Sequence, residues 1–147
     1  MIKIRRARIE DADELTVLLN SASELQTTNE HEEFTSDWVN ECIRNREGQI
    51  FLVAMEKENI AGFTLAELSK SGGWSLREYT YVRPEFRGKG IASKLVQLHE
   101  TYCRFKRIYE IESYVSVNNI PMQNLLEHLK YPRGKTFIAY HKSLDPQ

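Results

Sequence analysis

The sequence has few cysteines and no long apolar run. Cys42 and Cys103 are far apart and form no C-x-x-C pair. They therefore predict small buried residues in a reducing, cytoplasmic compartment, not a disulfide or a metal site. The longest apolar run, residues 50–55, is far shorter than the roughly 20 residues that span a bilayer. The first ten residues are basic and lack an apolar run, so we expect no signal peptide. The short apolar runs predict no membrane contact, and the lack of a C-x-x-C pair predicts no metal.

An excess of charge of one sign is also missing. Lysine and arginine total 20, aspartate and glutamate total 21, and the net charge is −1. No overall field therefore attracts nucleic acid, and we expect no nucleic-acid partner. The basic cluster at residues 104–107 is interpreted as a helix C-terminal cap, because cations there pair with free carbonyl groups. No repeat or Pro/Ser-rich linker interrupts the chain, so residues 1–147 are predicted to form one domain.

The most informative segment is residues 82–92, VRPEFRGKGIA, which joins a predicted strand to a predicted helix. Gly88 and Gly90 allow the backbone to approach a ligand closely. The free N–H groups at a helix start, together with the positive end of the helix dipole, favour an anion such as phosphate. Three basic side chains add positive charge: Arg83, Arg87 and Lys89.

Two common phosphate-binding motifs do not fit this segment. A G-x-G-x-x-G motif begun at Gly88 would place its third glycine at Ser93, and the chain contains no G-x-x-x-x-G-K-S/T. The motif that fits is R-x-x-G-x-A, with Arg87, Gly90 and Ala92 in the fixed positions. It follows directly on a predicted strand that ends at Val82.

Residues 81–95, YVRPEFRGKGIASKL, resemble the coenzyme A pyrophosphate motif of the GNAT superfamily of N-acetyltransferases. Asn118-Asn119 and the apolar helix that follows resemble the next block of that family. The resemblance implies that acetyl-CoA binds as a co-substrate, with its pyrophosphate on backbone amides and its pantetheine arm beside the fourth strand. The coenzyme-binding residues that it implies are Tyr81, Val82, Arg87, Gly88, Lys89, Gly90, Ile91, Ala92 and Asn119.

Hydrophobic periodicity predicts the element order β-α-α-β-β-β-α-β-α-β, an α/β (α+β) fold with a mixed sheet. A helical crossover joins the fourth and fifth strands, so they should be parallel. The order is that of the GNAT fold, which implies that these two strands splay around the coenzyme. The later strands and helices are predicted at residues 50–55, 60–68, 74–82, 90–107, 108–117, 121–130 and 136–143.

Acyl transfer to an amine needs a base, because an amine of pKa about 10.4 is almost fully protonated at pH 7. Glu78 is the first candidate, since strand alternation predicts that it shares a face with Thr80 and Val82, where the thioester carbonyl is expected. The Val82 amide is a candidate to polarise that carbonyl. Glu112 on the fifth strand is the second candidate base. Each glutamate is equally well explained as a solvated strand carboxylate.

The proton donor for the leaving thiolate is less clear from the sequence. The resemblance implies a tyrosine seven residues after Asn119, but that position is Leu126, which cannot donate a proton. Tyr114 is the first candidate to replace it, because the fifth strand should border the cleft. Tyr131, Tyr102 and water are the alternatives.

Two classes of function follow. The favoured one is an N-acetyltransferase that moves an acetyl group from acetyl-CoA to a primary amine of a small molecule or peptide. The other is a non-catalytic acyl-CoA-binding or partner-binding domain on the same fold. The resemblance implies that the acidic segment from Glu24 to Glu33 lies near the acceptor entrance, which favours a cationic acceptor; a solvated loop explains the segment equally well. A homodimer is compatible with the resemblance, but the residues alone do not decide it.

Overall fold

The structure, a computed structural model, describes residues 1–25 and 33–146. It contains one sheet of five strands in the order β1-β2-β3-β4-β5. The first four strands pair antiparallel, and β4 and β5 pair parallel. The strands and helices are β1 (Ile2–Arg6), α1 (Ala12–Ser21), α2 (Ser36–Arg44), β2 (Gln49–Glu56), β3 (Asn59–Ser69), β4 (Trp74–Val82), α3 (Ile91–Phe105), β5 (Glu110–Ser113) and α4 (Ile120–His128).

The helices cover both faces of the sheet, and this explains the apolar runs of β2 and β3. On one face, called the α1–α2 face, Leu15 and Val39 pack with Phe63 of β3. On the other, called the α3 face, Leu95 packs with Leu52 of β2. Strands that are buried on both sides lose the apolar-polar alternation of a half-exposed strand. The predicted fold class and the parallel pairing of β4 with β5 are confirmed.

A β-bulge interrupts β4 at its centre. Tyr79 pairs with Leu65 and Arg77 pairs with Ala66, so Glu78 is an extra residue without a partner in β3. A bulge of one residue reverses the face on which the following side chains lie. The side chains after Glu78 therefore lie on the faces opposite to those that the alternation before Glu78 would give them.

The predicted last strand at residues 136–143 is wrong. Residues 132–146 contain no helix or strand, and they are exposed. A strand needs a neighbour for its backbone groups, and this segment pairs with no strand of the described chain. The fifth strand is also shorter than predicted, four residues instead of ten, and it forms one edge of the sheet.

Candidate active site

The turn between β4 and α3 is built on two glycines in the left-handed conformation. Gly88 has φ 79° and Gly90 has φ 76°, values that L-residues with a side chain rarely adopt. A Cβ atom at either position would meet no heavy atom within 4 Å. The glycines are therefore required by backbone conformation, and the space beside them is open to a ligand.

The backbone N–H groups of residues 88–93 form a row of free donors. Within residues 1–25 and 33–146, none of them has a hydrogen-bond acceptor, and the first bond into α3 runs from Lys94 N–H to the Gly90 carbonyl at 3.1 Å. Donors at a helix start lack intrahelical partners, and the helix dipole adds partial positive charge there. This geometry is suited to a phosphate or another anion.

Arg83 does not take part in that anion site. Its Nε donates to the Ile60 carbonyl at 2.7 Å, and its Nη2 donates to Glu14 Oε1 at 2.7 Å. The expectation that Arg83 adds charge for a phosphate is therefore wrong, because Glu14 of α1 already neutralises it. Arg83 instead joins the end of β4 to α1 through its ion pair with Glu14.

Arg87 links the turn to Glu24, which lies close to the end of the described range 1–25. Its Nε donates to the Val82 carbonyl at 2.8 Å, and its Nη2 donates to Glu24 Oε1 at 3.0 Å. The guanidinium carbon lies 5.5 Å from the centroid of the Tyr81 ring. Arg87 is thus held beside the free amides, although one of its donors is occupied by a carboxylate. Lys89 lies over the Phe86 ring at 5.4 Å.

The two parallel strands separate beside this turn. β5 pairs with β4 only from Trp74 to Arg77. The Arg83 N–H bonds the Ala61 carbonyl at 2.9 Å, so strand alternation directs the Val82 N–H away from β3, to the side that β5 has left. A cleft of about 310 Å³ lies nearby, lined by Ser23, Glu24, Ser116, Asn118, Asn119 and Pro121.

Asn119 of that cleft caps α4. Its Oδ1 accepts a hydrogen bond from Met122 N–H at 3.3 Å. The side chain therefore fixes the helix start at the cleft wall. Leu126, about two turns further along α4, is buried at 7% exposure and offers no proton.

The prediction that Glu78 shares a face with Thr80 and Val82 is wrong. Burial, and next the charge of Glu78, raise the pKa of the Cys42 thiol of α2 to about 11, so Glu78 lies near this thiol. Glu78 therefore lies on the α1–α2 face, whereas Val82 packs on the α3 face. The bulge is the physical reason, because it adds one residue to the alternation. Burial, and next Glu67, raise the pKa of the Glu78 carboxyl above its usual range.

The structure brings Glu112 and Tyr114 together. Tyr114 Oη donates to Glu112 Oε2 at 3.1 Å, and this bond raises the pKa of the Tyr114 phenol. Both side chains are exposed, Tyr114 at 69%. Glu112 lies on β5 and Tyr114 directly after it, both in contact with solvent, so water competes with the pair for any proton transfer.

The other two candidate tyrosines are engaged elsewhere. Tyr131 Oη donates to Glu100 Oε1 at 2.7 Å and accepts from Arg77 Nη2 at 2.8 Å. The ring of Tyr102 lies under the Arg6 guanidinium at 5.0 Å. Both tyrosines are packed with side chains that hold α3 or its neighbours, and this arrangement makes them poor proton donors for the cleft.

Sequence reasoning missed a buried polar network centred on Arg77. The side chain is 2% exposed, yet its Nε and Nη1 have no partner in the described chain. Its Nη2 lies 2.9 Å from His99 Nδ1, and His99 Nε2 lies 2.9 Å from Ser75 Oγ. Burial, followed by the charge of Arg77, lowers the pKa of His99 to about 3, so His99 is neutral. An arginine in a strand is ordinarily expected to be exposed to solvent. Only its alternation with Ser75, which puts both side chains on the same face of β4, indicated that Arg77 is buried.

An aromatic cluster on the α1–α2 face was also missed. The ring centroids of Phe34 and Trp38 are 5.4 Å apart, and those of Phe34 and Tyr79 are 5.5 Å apart. Tyr79 is adjacent in sequence to Glu78, and the bulge puts both on this face. Aromatic rings beside a carboxylate suit a cationic ligand.

The acidic residues expected at the acceptor entrance divide into three groups. Glu24 pairs with Arg87, and Glu33 is exposed. Glu30 and Glu32 lie outside the described residues.

Comparison with known proteins matches this arrangement to a family. The model of the acetyltransferase (GNAT) family matches residues 14–131, which include the glycine turn, the cleft and α4. The chain belongs to the GNAT acetyltransferase family. Comparison with curated proteins gives no match.

Solved structures show the same GNAT fold. AAC(6')-Iy, in complex with the bisubstrate analogue CoA-S-monomethyl-acetylneamine, has a TM-score of 0.78 and 19% identity, and the alignment covers 98% of this chain and 99% of that one. A ribosomal-protein-alanine N-acetyltransferase from Brucella melitensis has a TM-score of 0.73 and 19% identity, with 97% and 99% covered. A transcriptional regulator from Bacillus halodurans C-125 has a TM-score of 0.81 and 18% identity, with 97% and 100% covered. At such identities the similarity establishes the fold alone.

Among residues 1–25 and 33–146, no three His, Cys, Asp or Glu side chains are grouped so that they could hold a metal ion. In the same part of the chain, no helix has the length and apolar character needed to cross a bilayer.

Proposed function

We propose that this GNAT protein is an N-acetyltransferase that moves the acetyl group of acetyl-CoA to a primary amine of a small molecule or peptide. The observation that carries the proposal is the row of free backbone N–H groups at residues 88–93. Free amides, two left-handed glycines and the start of a 15-residue helix together favour a pyrophosphate. Two free, buried cysteines fit a reducing compartment such as the cytoplasm.

The residues around the turn fit coenzyme A. The pyrophosphate would bind the amides of Gly88, Lys89, Gly90, Ile91 and Ala92, with Arg87 exchanging Glu24 for a phosphate oxygen. The unpaired side of β4, with the backbone of Tyr81 and Val82, offers hydrogen bonds to an amide-containing arm. Asn119 stands at the wall of the cleft near Glu24. Acetyl-CoA itself supplies an activated thioester.

Glu78 is the base that we favour for the amine. The raised pKa of its carboxyl makes it a better proton acceptor than an ordinary glutamate. The amine loses a proton to Glu78, its nitrogen bonds the thioester carbon, and the carbon–sulfur bond breaks. The Val82 N–H, directed to the open side of β4, would stabilise the carbonyl oxygen. Glu112 is the second candidate base, because its carboxylate is exposed and bound to Tyr114.

The leaving thiolate takes its proton from Tyr114 or from water. Tyr114 lies next to the strand that borders the opening, whereas the phenol of Tyr131 is already hydrogen-bonded to Glu100. The α1–α2 face carries Glu67 and Glu78 beside three aromatic rings, and this supports a cationic amine as acceptor.

Release of free thiol from acetyl-CoA tests this proposal. The assay uses a panel of polyamines, aminoglycosides and peptides with free N-termini, with Gly90→Glu as the coenzyme-site control. We expect thiol release that depends on one class of amine and is strongly reduced in the control. Coenzyme binding without acceptor-dependent release for any amine would contradict the catalytic proposal.

A second function is favoured by one observation, the buried Leu126 at the position where the resemblance implies a tyrosine. A chain without a positioned acid could retain the fold as a non-catalytic acyl-CoA-binding or partner-binding domain. The same assay separates the two functions, since a binding domain would hold CoA tightly and release no thiol with any acceptor.

A further inference from the structure

Basic and aromatic side chains lie together at the end of the sheet opposite the glycine turn. β4 and β5 are parallel, so their first residues, Trp74 and Glu110, pair at the same end of the sheet. α3 runs back from the glycine turn and ends at Phe105, shortly before β5 begins. Residues 104–109 therefore lie at the end of the sheet where β4 starts. Trp74 and residues 104–109 are called the basic–aromatic patch.

The fold does not use the cations of this patch to cap α3. The N–H groups of residues 106–108 close the helix, because they bond carbonyls of its last turn at 2.8 to 3.0 Å. The predicted pairing of basic side chains with free carbonyl groups is not formed within the described residues. In that part of the chain the side chains of Lys106 and Arg107 have no hydrogen-bond or ion-pair partner. Their charges are therefore available to another molecule.

Arg107 also occupies a backbone conformation that favours glycine. Its φ is 59°, in the left-handed region, at a position after a helix where glycine is the common residue. A residue with a Cβ atom is less stable there than glycine would be. Such backbone outliers occur mostly at functional positions. The exposed arginine is therefore better explained by a role in binding than by a role in the fold.

The charge around the patch is positive. Arg6 adds a cation to the three of the patch, since its guanidinium carbon lies 5.0 Å from the centroid of the Tyr102 ring of α3. The carboxylates nearest in sequence are Glu100, which lies 3.6 Å from Arg104, and the exposed Glu110. Four cations therefore face two carboxylates, and an anionic partner is favoured.

The aromatic rings of the patch are exposed. Phe105 is 82% exposed, Tyr109 is 73% exposed and Trp74 is 39% exposed. The patch exposes no large aliphatic side chain, because its isoleucine, Ile108, is only 1% exposed. Membrane-binding surfaces use leucine as well as aromatic rings, whereas flat rings among cations suit the stacking of bases.

We propose that the basic–aromatic patch binds single-stranded nucleic acid. Its three cations contact phosphates, and the rings of Phe105 and Tyr109 stack on bases. The net charge of −1 excludes attraction by the chain as a whole but does not describe this local group of cations. β4 is nine residues long, about 30 Å, so the patch is separate from the glycine turn. The inference does not depend on the proposed catalytic function.

Fluorescence anisotropy with labelled oligouridine and oligothymidine of about 12 nucleotides is the first test. We expect the full chain to bind at micromolar concentration. Three phosphate contacts predict a slope of about −2 for the logarithm of affinity against the logarithm of salt concentration. A preference for one oligonucleotide would identify RNA or DNA as the ligand. No binding at low salt would overturn the proposal, as would binding only to vesicles of phosphatidylcholine and phosphatidylserine.

Removal of one cation is the second test. Arg107→Gly should make the salt slope less steep by about 0.7. It should not lower the free energy of unfolding, because glycine is favoured at this φ. Lys57→Gly is the matched control, since Lys57 is also exposed, also has a positive φ, 55°, and lies in the turn between β2 and β3 at the other end of the sheet. Equal slopes in the two variants would contradict a phosphate contact at Arg107 and overturn the proposal.

Removal of the rings is the third test, and it separates stacking from charge attraction. Phe105→Ala/Tyr109→Ala should weaken oligonucleotide binding about tenfold or more and leave the salt slope unchanged. Heparin, a polyanion without bases, should bind this variant as well as the parent chain. Tyr140→Ala, at a 91% exposed site outside the patch, is the control and should bind normally. Parent-like oligonucleotide affinity in the double variant would refute the proposed site.

Discussion

The end and the middle of β4, where we propose the coenzyme site and the base, are built in different ways. At the end, the turn at residues 88–93 presents backbone N–H groups, and side chains contribute little to its shape. In the middle, the bulge at Glu78 presents side chains whose faces depend on the pairing of one residue. The first region depends on local conformation, and the second depends on register. This difference explains why one was predictable and the other was not.

The largest expected effect concerns the middle of β4. Glu78→Gln should lower acceptor-dependent turnover by about 10²–10⁴-fold, because it removes the proposed base. Coenzyme affinity should not change, since the free amides are untouched. Thiol-release kinetics and calorimetry measure the two quantities. Glu58→Gln, an exposed carboxylate in the turn between β2 and β3, is the control and should have a small effect. Full turnover in Glu78→Gln would shift the role of base to Glu112.

The next effect concerns the end of β4. Gly90→Glu should weaken CoA binding by roughly 10- to 100-fold, about 1.4–2.7 kcal/mol, because it adds negative charge where the pyrophosphate should bind. Gly73→Glu is the matched control, because Gly73 also has a positive φ, 72°, and a Cβ there also meets no heavy atom within 4 Å. Titration calorimetry measures both. Equal affinity in the two variants would mean that the phosphate site lies elsewhere.

A smaller effect is expected on the α3 face. Tyr131→Phe removes one hydrogen-bond acceptor from the buried Arg77 and one donor to Glu100, at a cost of about 1–2 kcal/mol in the free energy of unfolding. Denaturant unfolding measures this cost. Tyr140→Phe, at a 91% exposed site, serves as control and should unfold like the parent. If both variants unfold alike, the network does not stabilise the centre of β4.

His99 gives the same network a pH dependence. Because the folded pKa is about 3 and the ordinary value is 6.5, the unfolded chain binds the proton first as pH falls. The contribution of neutral His99 to the free energy of unfolding is present above pH 6.5 and is lost progressively as the pH falls from 6.5 toward 3. Between pH 6.5 and 5.5 the loss should be about 1 kcal/mol. In the His99→Gln variant, the free energy of unfolding should decline less steeply as the pH falls. If it declines as steeply as in the parent chain, His99 is in contact with water in the folded state.

The smallest effect is expected at Tyr114. Tyr114→Phe should lower turnover by less than about tenfold, well below the contribution of a positioned acid, because water reaches this exposed side chain. Leu126→Tyr should leave coenzyme affinity unchanged and maintain or raise turnover. Steady-state thiol release measures both variants. A loss of several hundredfold in Tyr114→Phe would mean that the phenol is the required donor despite its exposure.

The predictable parts of the molecule are those set by short stretches of sequence. The glycine turn and the parallel β4–β5 pair both follow from local motifs and connection rules. The face of Glu78 did not follow, since periodicity cannot reveal a bulge. The salt bridge of Arg83 with Glu14 joins residues 69 positions apart. Such contacts exist only after the fold has formed.

Calorimetry with coenzyme A and with pantetheine, which lacks the phosphates, tests the central claim most directly. If the amides of residues 88–93 bind the pyrophosphate, CoA should bind far more tightly than pantetheine, and ATP and nicotinamide dinucleotides should bind weakly. CoA at a hundred times its dissociation constant should raise the free energy of unfolding by about 2.7 kcal/mol. Equal affinity for CoA and pantetheine, or no heat with millimolar CoA, would contradict the claim.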